Sequence, residues 1–421
     1  MRGLHIFLIA LLAATAASAG PKDDLATFAS SAQKGLTAYK AGDFKAAEPA
    51  FDTALANAPQ RSAVLYYLSA AAARNGERAK ALLLLDRYAR MGGTKDVAAA
   101  DFASLATSPG FRTAEARVAN NRRALCACSI VFQGTSEPFI AEGLAPDGKR
   151  LLLSSVAQRR IVAIADGRET DFVTQLPDAY SPFGMVADAK RNTLWVSAAS
   201  VPQGGSADTD KSALIAYDLA TGSLRKIYPA SGKLDFGDIA LAPDGAVYVS
   251  DSLEGSLFRL LPGAAELERV GPAGMFSSAQ GMAVSTDSKQ LLVADYEMGL
   301  FRVDLQTQQM KAVRIPQTLT TLGIDGLAHF PDGSFVATQN GIAAPRIIRF
   351  RLTADWSALR SLTTLATNAP PIADIALIAA DGNDVLAVGV SQWSAFESDK
   401  QAPAHPVPPW VIVRIGYSSR S

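Results

Sequence analysis

Apolar and polar positions alternate with a period of two through most of the chain from residue 124 onwards. A similar short phrase recurs six times within this region, and its clearest copy reads Gly-Asp-Ile-Ala-Leu-Ala-Pro-Asp-Gly at residues 237–245. The copies follow one another every ~40 to 55 residues, a spacing typical of propeller blades or solenoid repeats. The six copies occupy residues 142–148, 183–188, 237–245, 280–287, 325–333 and 373–382.

Each copy opens a unit in which the alternation predicts four antiparallel strands. In the third unit, Asp244-Gly245 favours a tight hairpin between the first two strands because glycine tolerates positive φ. The strands of this unit are predicted at residues 239–242, 246–251, 257–261 and 267–270. Second strands of the other units are predicted at residues 150–155, 193–198, 290–295, 334–338 and 384–390. Third strands are predicted at residues 160–164, 213–218, 299–304, 346–352 and 410–417.

One strand is missing at the end of the chain, and one strand is spare before the first unit. The sixth unit ends at Tyr417 without a fourth strand, whereas residues 125–132 form a strand-like run that no unit uses. If this run pairs with the outer edge of the last blade, the ring closes and leaves no open sheet edge. The sequence therefore predicts a six-bladed β-propeller over residues 124–418, closed by the strand 125–132.

The region before the propeller, residues 23–121, is rich in alanine and shows no strand-like alternation. Two of its segments superpose at an offset of 34 residues, the period of a tetratricopeptide repeat. The positions that superpose are Gly35 with Ser69, Gly42 with Gly76, Ala47 with Ala81 and Phe51 with Leu85.

This part resembles the tetratricopeptide family, so we expect paired helices, with residues 97–121 supplying the helices that close the stack. The resemblance implies a concave surface for a peptide or partner protein. The alternative, that the array only packs on the propeller, stays open. The fold class is thus multidomain, α and then all-β.

The first 19 residues have the features of a secretory signal peptide. Arg2 gives the positive start, residues 6–17 the short apolar stretch, and residues 17–19 an Ala-x-Ala cleavage site. No later apolar run reaches the ~20 residues needed to span a bilayer. We therefore expect an exported, periplasmic protein without a membrane span. Its 40 basic and 40 acidic residues cancel, which argues against nucleic acid as a partner.

The chain has two cysteines, Cys126 and Cys128, separated by one residue. An oxidising compartment permits a disulfide, but residues i and i+2 of a regular strand have Cα atoms near the limit for bridging. We interpret the pair as small apolar residues of the strand, in preference to a redox or metal-binding pair.

The first positions of the six copies are the main candidates for a functional site. The Asp-Gly turns lie on one face of the ring, so each copy begins on the opposite face, at the mouth of the central channel. Carboxylate and amide oxygens that converge there suit a hard cation, and calcium is the expected one. A small polar ligand in the channel is a further expectation. The six positions are Glu142, Phe183, Asp238, Gln280, Asp325 and Asp374.

The long loop at residues 391–409 reaches the same face of the ring. Long loops on a rigid scaffold often carry binding residues. We therefore add Trp393 and His405 of this loop to Phe183, Asp238 and Asp374 as candidate contacts of a substrate.

The blade openings Glu142-Gly143 and Asp325-Gly326 resemble those of the regucalcin–gluconolactonase family of six-bladed propellers, over residues 125–417. The resemblance implies a divalent metal bound by Glu142, Gln280 and Asp325, with Asp325 as catalytic base or ligand and Asp238 as a substrate contact. Two departures matter. Gln280 stands where the family has Asn, and Gly237-Asp238 stands where the family has Asn-Asp.

Two functions from different classes are compatible with these observations. The first is an exported binding or scaffold protein that combines the helical array with the propeller. The alternative is a divalent-metal-dependent hydrolase of sugar lactones or related esters. A third interpretation assigns no function to Asp238, Asp325 and Asp374, which would only accept hydrogen bonds from backbone amides at the blade openings.

Overall fold

A computed structural model describes residues 20–97 and 100–416. The predicted signal peptide and the last residue of the predicted strand 410–417 lie outside the described residues. Within these two ranges, no helix has the length and hydropathy needed to cross a membrane.

The N-terminal region is helical, as predicted. The sharp turns between paired helices are made at Gly42 and Gly76, whose φ angles are 78° and 85°. Asp43 begins the second helix, since its carboxylate accepts a hydrogen bond of 3.0 Å from the backbone nitrogen of Ala46. The helices are α1 Pro21–Lys40, α2 Phe44–Asn57, α3 Ser62–Arg74, α4 Arg78–Arg90, the 3₁₀ helix Ala100–Leu105 and α5 Pro109–Asn121.

Small residues let these helices approach closely. Gly35 of α1 is buried, and a Cβ atom added to it would lie 2.5 Å from Cδ1 of Phe51 on α2. The phenyl ring therefore occupies the space that a side chain at position 35 would need. Ser69 is the corresponding small residue of α3. Its hydroxyl donates a hydrogen bond of 2.7 Å to the carbonyl of Ala81 on α4. The tetratricopeptide identity of the array stays a prediction.

The rest of the chain forms six small antiparallel sheets, which confirms the six-bladed propeller. Two short strands, β1 Leu125–Cys126 and β2 Cys128–Gln133, precede the first blade. Blades one to three are β3 Ala141–Pro146, β4 Leu151–Ser155, β5 Arg160–Ala165 and β6 Arg168–Val173; β7 Ser181–Asp188, β8 Thr193–Ala199, β9 Ser212–Asp218 and β10 Leu224–Ala230; β11 Phe236–Leu241, β12 Val247–Asp251, β13 Ser256–Leu260 and β14 Glu268–Arg269.

Blades four to six follow the same plan, although the inner strand of the sixth blade is short. They are β15 Ala279–Val284, β16 Gln290–Asp295, β17 Gly299–Asp304 and β18 Met310–Ala312; β19 Ile324–His329, β20 Phe335–Gln339, β21 Arg346–Leu352 and β22 Leu359–Thr367; β23 Ile378–Asp381, β24 Asp384–Val390 and β25 Val411–Ile415. The cores lie within and between the blades, where the alternating apolar side chains of neighbouring sheets meet.

The ring closes through the N-terminal end of the propeller, as the sequence predicts. Strand β2 pairs antiparallel with β25 and is the fourth strand of the sixth blade. The predicted strand 125–132 is not continuous, however, because β1 pairs with β22 of the fifth blade instead. The chain changes from one sheet to the next at Ala127. It therefore connects the last two blades as well as closing the ring.

The same change of sheet explains why our interpretation of the cysteines was wrong. Cys126 and Cys128 form a disulfide, with Cα atoms 5.1 Å apart. In a regular strand two such residues would be about 6.6 Å apart. Because the chain turns at Ala127 as it leaves the fifth blade for the sixth, the two Cα atoms come within bridging distance.

The helical array packs against the propeller on the face that carries the channel mouth. Arg61 forms an ion pair with Glu297, in the loop between the second and third strands of the fourth blade. The side-chain oxygen of Gln60 accepts a hydrogen bond of 2.6 Å from the backbone nitrogen of Thr321. Arg87 donates a hydrogen bond of 2.7 Å to the carbonyl of Gln317. These contacts fix the array beside the mouth of the channel.

The close approach of α1 and α2 gives the first testable prediction. We expect Gly35→Ala to lower the free energy of unfolding of the helical array by about 1–3 kcal/mol, since the new methyl group overlaps the ring of Phe51. Gly110→Ala is the matched control, because a Cβ there has ordinary contacts at 3.7 Å. It should change stability by less than about 1 kcal/mol. Urea denaturation followed by circular dichroism at the helical minimum measures both, and equal midpoints would contradict the packing.

Candidate functional site

A cavity of about 440 Å³ lies at the mouth of the central channel. It brings together seven of the eight side chains that the sequence singled out. His405 is the eighth; its side chain is exposed on the loop 391–409 and does not line the cavity. The seven are Glu142, Phe183, Asp238, Gln280, Asp325, Asp374 and Trp393.

A local irregularity of the inner strands turns these side chains towards the channel. In five blades the pairing between the first and second strands skips two residues, and the first positions of the copies lie within the skipped pair. Bulges of this kind re-aim side chains beside functional sites. The shifts fall between Ala141 and Leu144, Pro182 and Met185, Phe236 and Ile239, Ala279 and Met282, and Ile324 and Leu327.

Glycine as the second residue of the skipped pair lets the inner strands of blades one, two, four and five touch the next blade. A Cβ at Gly143 would lie 2.0 Å from the carbonyl oxygen of Phe183, and a Cβ at Gly281 would lie 2.6 Å from that of Asp325. No side chain fits in this space, so the residue must be glycine where the blades meet so closely. The glycine of the repeated phrase thus reflects the contact between blades.

Hydroxyl groups of the second strands bond the backbone amides that the bulges leave unpaired. Ser154 accepts a hydrogen bond of 2.7 Å from the nitrogen of Gly143 and donates one of 2.9 Å to the carbonyl of Phe183 in the next blade. Thr338 accepts one of 2.9 Å from the nitrogen of Gly326. Sequence reasoning missed these hydroxyls, although each stands at the same place, near the end of a second strand.

The carboxylates of Asp238, Asp325 and Asp374 differ in whether they accept hydrogen bonds from backbone amides. Asp238 takes the glycine position of the third blade, and its carboxylate accepts a hydrogen bond of 2.8 Å from the nitrogen of Ile239. Asp374 accepts bonds of 3.2 and 3.1 Å from the backbone and hydroxyl of Ser394. Bonding to backbone therefore accounts for part of their placement. It does not account for Asp325, whose hydrogen-bond partner is a side chain.

That partner is Asn340, which the sequence analysis missed. Its side-chain nitrogen donates hydrogen bonds of 2.7 Å to Asp325 and 3.0 Å to the carbonyl of Ile375, while its oxygen accepts one of 2.9 Å from the hydroxyl of Tyr296. Tyr296 and Asn340 directly follow the second strands of the fourth and fifth blades, as Ser252 does in the third. This shared position is the feature that could have identified them.

An aromatic wall stands beside the acidic groups. The indole nitrogen of Trp393 donates a hydrogen bond to the carboxylate of Glu142. Its ring stacks on Phe183, with centroids 6.3 Å apart and planes inclined by 21°. Trp393 thereby holds Glu142 in place and gives one side of the cavity an apolar, electron-rich surface.

The charge of the cavity lining is one-sided, because it includes no basic side chain and five carboxyl groups, those of Glu142, Asp235, Asp238, Asp325 and Asp374. Burial, reinforced by the negative charge of Asp325, raises the pKa of Glu142 well above its usual value, and the bond from Trp393 offsets this only in part. Burial also raises the pKa of Asp238 to about 7 and that of Asp325 to about 6. These groups therefore keep protons at pH values where exposed carboxyls lose them.

The predicted metal ligands are oxygen donors of the type that suits a hard cation. Glu142, Gln280 and Asp325 offer carboxylate and amide oxygens, and the amide nitrogen of Gln280 is directed to the hydroxyl of Ser278 at 3.3 Å. However, no group of three or more His, Cys, Asp or Glu side chains in the described ranges is arranged to bind a metal ion. The calcium site stays a prediction.

The raised pKa of Asp238 gives a prediction about stability and pH. The folded protein keeps this proton up to about pH 7, whereas the unfolded chain releases it near pH 4, so wild-type stability falls as pH rises between these values. Asp238→Asn removes this loss. We expect the variant to gain up to about 4 kcal/mol over wild type at pH 8, and little below pH 4.

Thermal denaturation at several pH values measures the gain. Asp166→Asn is the control, because Asp166 is exposed in a turn outside the cavity. A gain that is the same at pH 5 and pH 8 would show that the ionisation of Asp238 is not its source.

Comparisons with known proteins assign the chain to no family. No protein-family model and no curated protein matches the chain. Solved structures that resemble it include a streptogramin B lyase, with 13% identity, a TM-score of 0.46, and coverage of 62% of this chain and 80% of that one. The PQQ-bound aldose sugar dehydrogenase of Streptomyces coelicolor has 15% identity, a TM-score of 0.48, and coverage of 70% and 98%. A luciferin-regenerating enzyme has 13% identity, a TM-score of 0.47, and coverage of 69% and 96%. Similarities at this level carry no inference about function.

Proposed function

We propose that the propeller is a binding domain whose channel-mouth cavity takes a small, positively charged ligand. The observation that carries this proposal is the set of five carboxyl groups around one cavity whose lining includes no basic side chain. Buried carboxylates are costly unless a cation or a proton neutralises them. In the absence of a cation, retained protons do so, as the raised pKa values of Glu142, Asp238 and Asp325 indicate.

The ligand can be an inorganic or an organic cation, and the cavity has features that suit each. Carboxylate and amide oxygens are ligands for calcium, whose remaining positions water can fill. The stacked rings of Phe183 and Trp393 suit an organic ammonium group, because aromatic faces attract cations. A volume of about 440 Å³ has room for a small organic molecule.

This proposal concerns the propeller of an exported protein. Export to the periplasm is a prediction from residues 1–19, and a peptide or protein partner on the helical array is a prediction from the repeat pattern. The array lies on the same face as the channel mouth, so a partner bound there would be a neighbour of the ligand.

Cation binding should depend on the acidic side chains and on pH. We expect wild type to be stabilised thermally by calcium or by tetramethylammonium, with at least tenfold weaker affinity at pH 5.5 than at pH 8, because protons compete for Asp238 and Asp325. Glu142→Gln and Asp325→Asn should each weaken binding at least tenfold. Asp166→Asn should bind as wild type does. Calorimetry that finds neither cation bound at pH 8 would overturn the proposal.

A second candidate function is hydrolysis of a lactone or related ester. The observation that favours it is Asp325, a buried carboxyl with a pKa of about 6 that Asn340 and Tyr296 hold in one orientation. Such a group can accept a proton near neutral pH. A cation bound by Glu142, Gln280 and Asp325 would supply electrophilic assistance. The side chains themselves form the cavity, and they supply Asp325 as a proton acceptor in a fixed orientation.

A panel of sugar lactones and simple esters, assayed with and without calcium, tests this candidate. We expect Asp325→Asn to lower kcat by about 100-fold or more, and Asn340→Ala to lower it less, since Asn340 only orients the carboxylate. Asp166→Asn should leave the rate unchanged. If wild type hydrolyses nothing in the panel while it still binds a cation, the protein is a binding protein and this candidate fails.

A further inference from the structure

A second cavity, of about 330 Å³, lies where the helical array meets the fifth blade. Gly92 and Asn121 line it from the helical side, and Arg346, Thr364 and Thr367 line it from the blade. It shares no residue with the channel-mouth cavity. Its lining also has the opposite charge, with two arginines and no acidic side chain.

Arg346 is the central residue of this second cavity. It is only 9% exposed, and its Nε donates a hydrogen bond of 2.7 Å to the side-chain oxygen of Gln339. Gln339 is itself held in place, because its nitrogen donates bonds of 3.1 and 2.7 Å to the carbonyls of Thr320 and Leu322. The guanidinium group therefore has a fixed orientation.

The two terminal nitrogens of Arg346 are left without a hydrogen bond or ion pair to any described residue. One of them lies beside Gly92, where an added Cβ would be 2.9 Å from Nη1. Burial lowers the pKa of Arg346 to about 10, and no carboxylate opposes this effect. A buried guanidinium without a counter-charge is costly, so an anion bound to its terminal nitrogens would stabilise the folded protein.

The other groups of the lining complement an anion. Arg123, which follows α5, is exposed and carries a second positive charge to the same cavity. The hydroxyl of Thr364 forms no hydrogen bond with a described residue, and the hydroxyl of Thr367 donates one of 3.1 Å to the carbonyl of Pro345. Guanidinium groups bind carboxylates and phosphates through paired hydrogen bonds.

We propose that this cavity binds a small oxyanion, a carboxylate or phosphate group, between the terminal nitrogens of Arg346 and the side chain of Arg123. The bound group would contact residues of both domains. It would therefore stabilise their docking in addition to neutralising Arg346.

Calorimetric titration of the full chain with inorganic phosphate and with succinate, at constant ionic strength, tests the proposal. We expect wild type to bind at least one of them. Arg123→Gln should bind it about tenfold more weakly, because a charged hydrogen-bond donor is lost, and Thr364→Val should also bind it more weakly. Arg346→Gln should abolish binding. Arg360→Gln is the matched control, because Arg360 lies on β22 with Thr364 but outside the cavity.

The outcomes separate a binding site from an arginine with a purely structural role. If Arg346→Gln does not fold, Arg123→Gln and Thr364→Val, which alter an exposed side chain and exchange groups of equal size, still decide the question. Binding of only phosphate or only succinate supports the proposal and identifies the anion. Failure of wild type to bind either anion overturns it. So does equal binding by wild type, Arg123→Gln and Thr364→Val, or a loss in Arg360→Gln as large as in Arg123→Gln.

Discussion

The close contact between neighbouring inner strands is the constraint on which the propeller and its cavity depend. At Gly143 and Gly281 the next blade's backbone occupies the space of a missing side chain. The inner strands can approach in this way only because they bulge, and the bulge frees amides that hydroxyls such as those of Ser154 and Thr338 then bond. Packing, backbone geometry and hydrogen bonding are thus satisfied together at each blade opening.

The same bulge determines what lies in the channel. A residue inside the skipped pair cannot join the regular alternation of its strand, so its side chain is directed to the mouth of the channel. Glu142, Gln280 and Asp325 reach one cavity for this reason, although they come from three different blades. Burial raises the pKa values of Glu142, Asp238 and Asp325, and the negative charge of Asp325 raises those of Glu142 and Asp238 further. The acidity of the cavity therefore follows from the fold together with the acidic side chains at a few positions of the skipped pairs.

The sequence predicts the strands and the ring well, because period-two alternation and the Asp-Gly turns are local features. It also predicts which first positions converge, because rotational repetition places equivalent residues around one axis. It does not reveal Asn340 or Tyr296, since their importance arises from hydrogen bonds between blades. The disulfide of Cys126 and Cys128 was missed for a similar reason: the turn at Ala127 follows from pairing with two different sheets.

The two cavities differ in how their unbalanced charge can be neutralised, and the difference bears on what each can do. The carboxyl groups at the channel mouth can take up protons near neutral pH, so that cavity tolerates the absence of a cation and exchanges protons when one binds. Arg346 cannot lose its proton at such pH values, even with its pKa lowered to about 10. Either an anion neutralises its charge, or the buried charge lowers the stability of the folded protein. An anion between the domains would consequently act as part of the structure. A cation at the channel mouth would instead be a ligand that binds at higher pH and is released as the carboxyl groups take up protons.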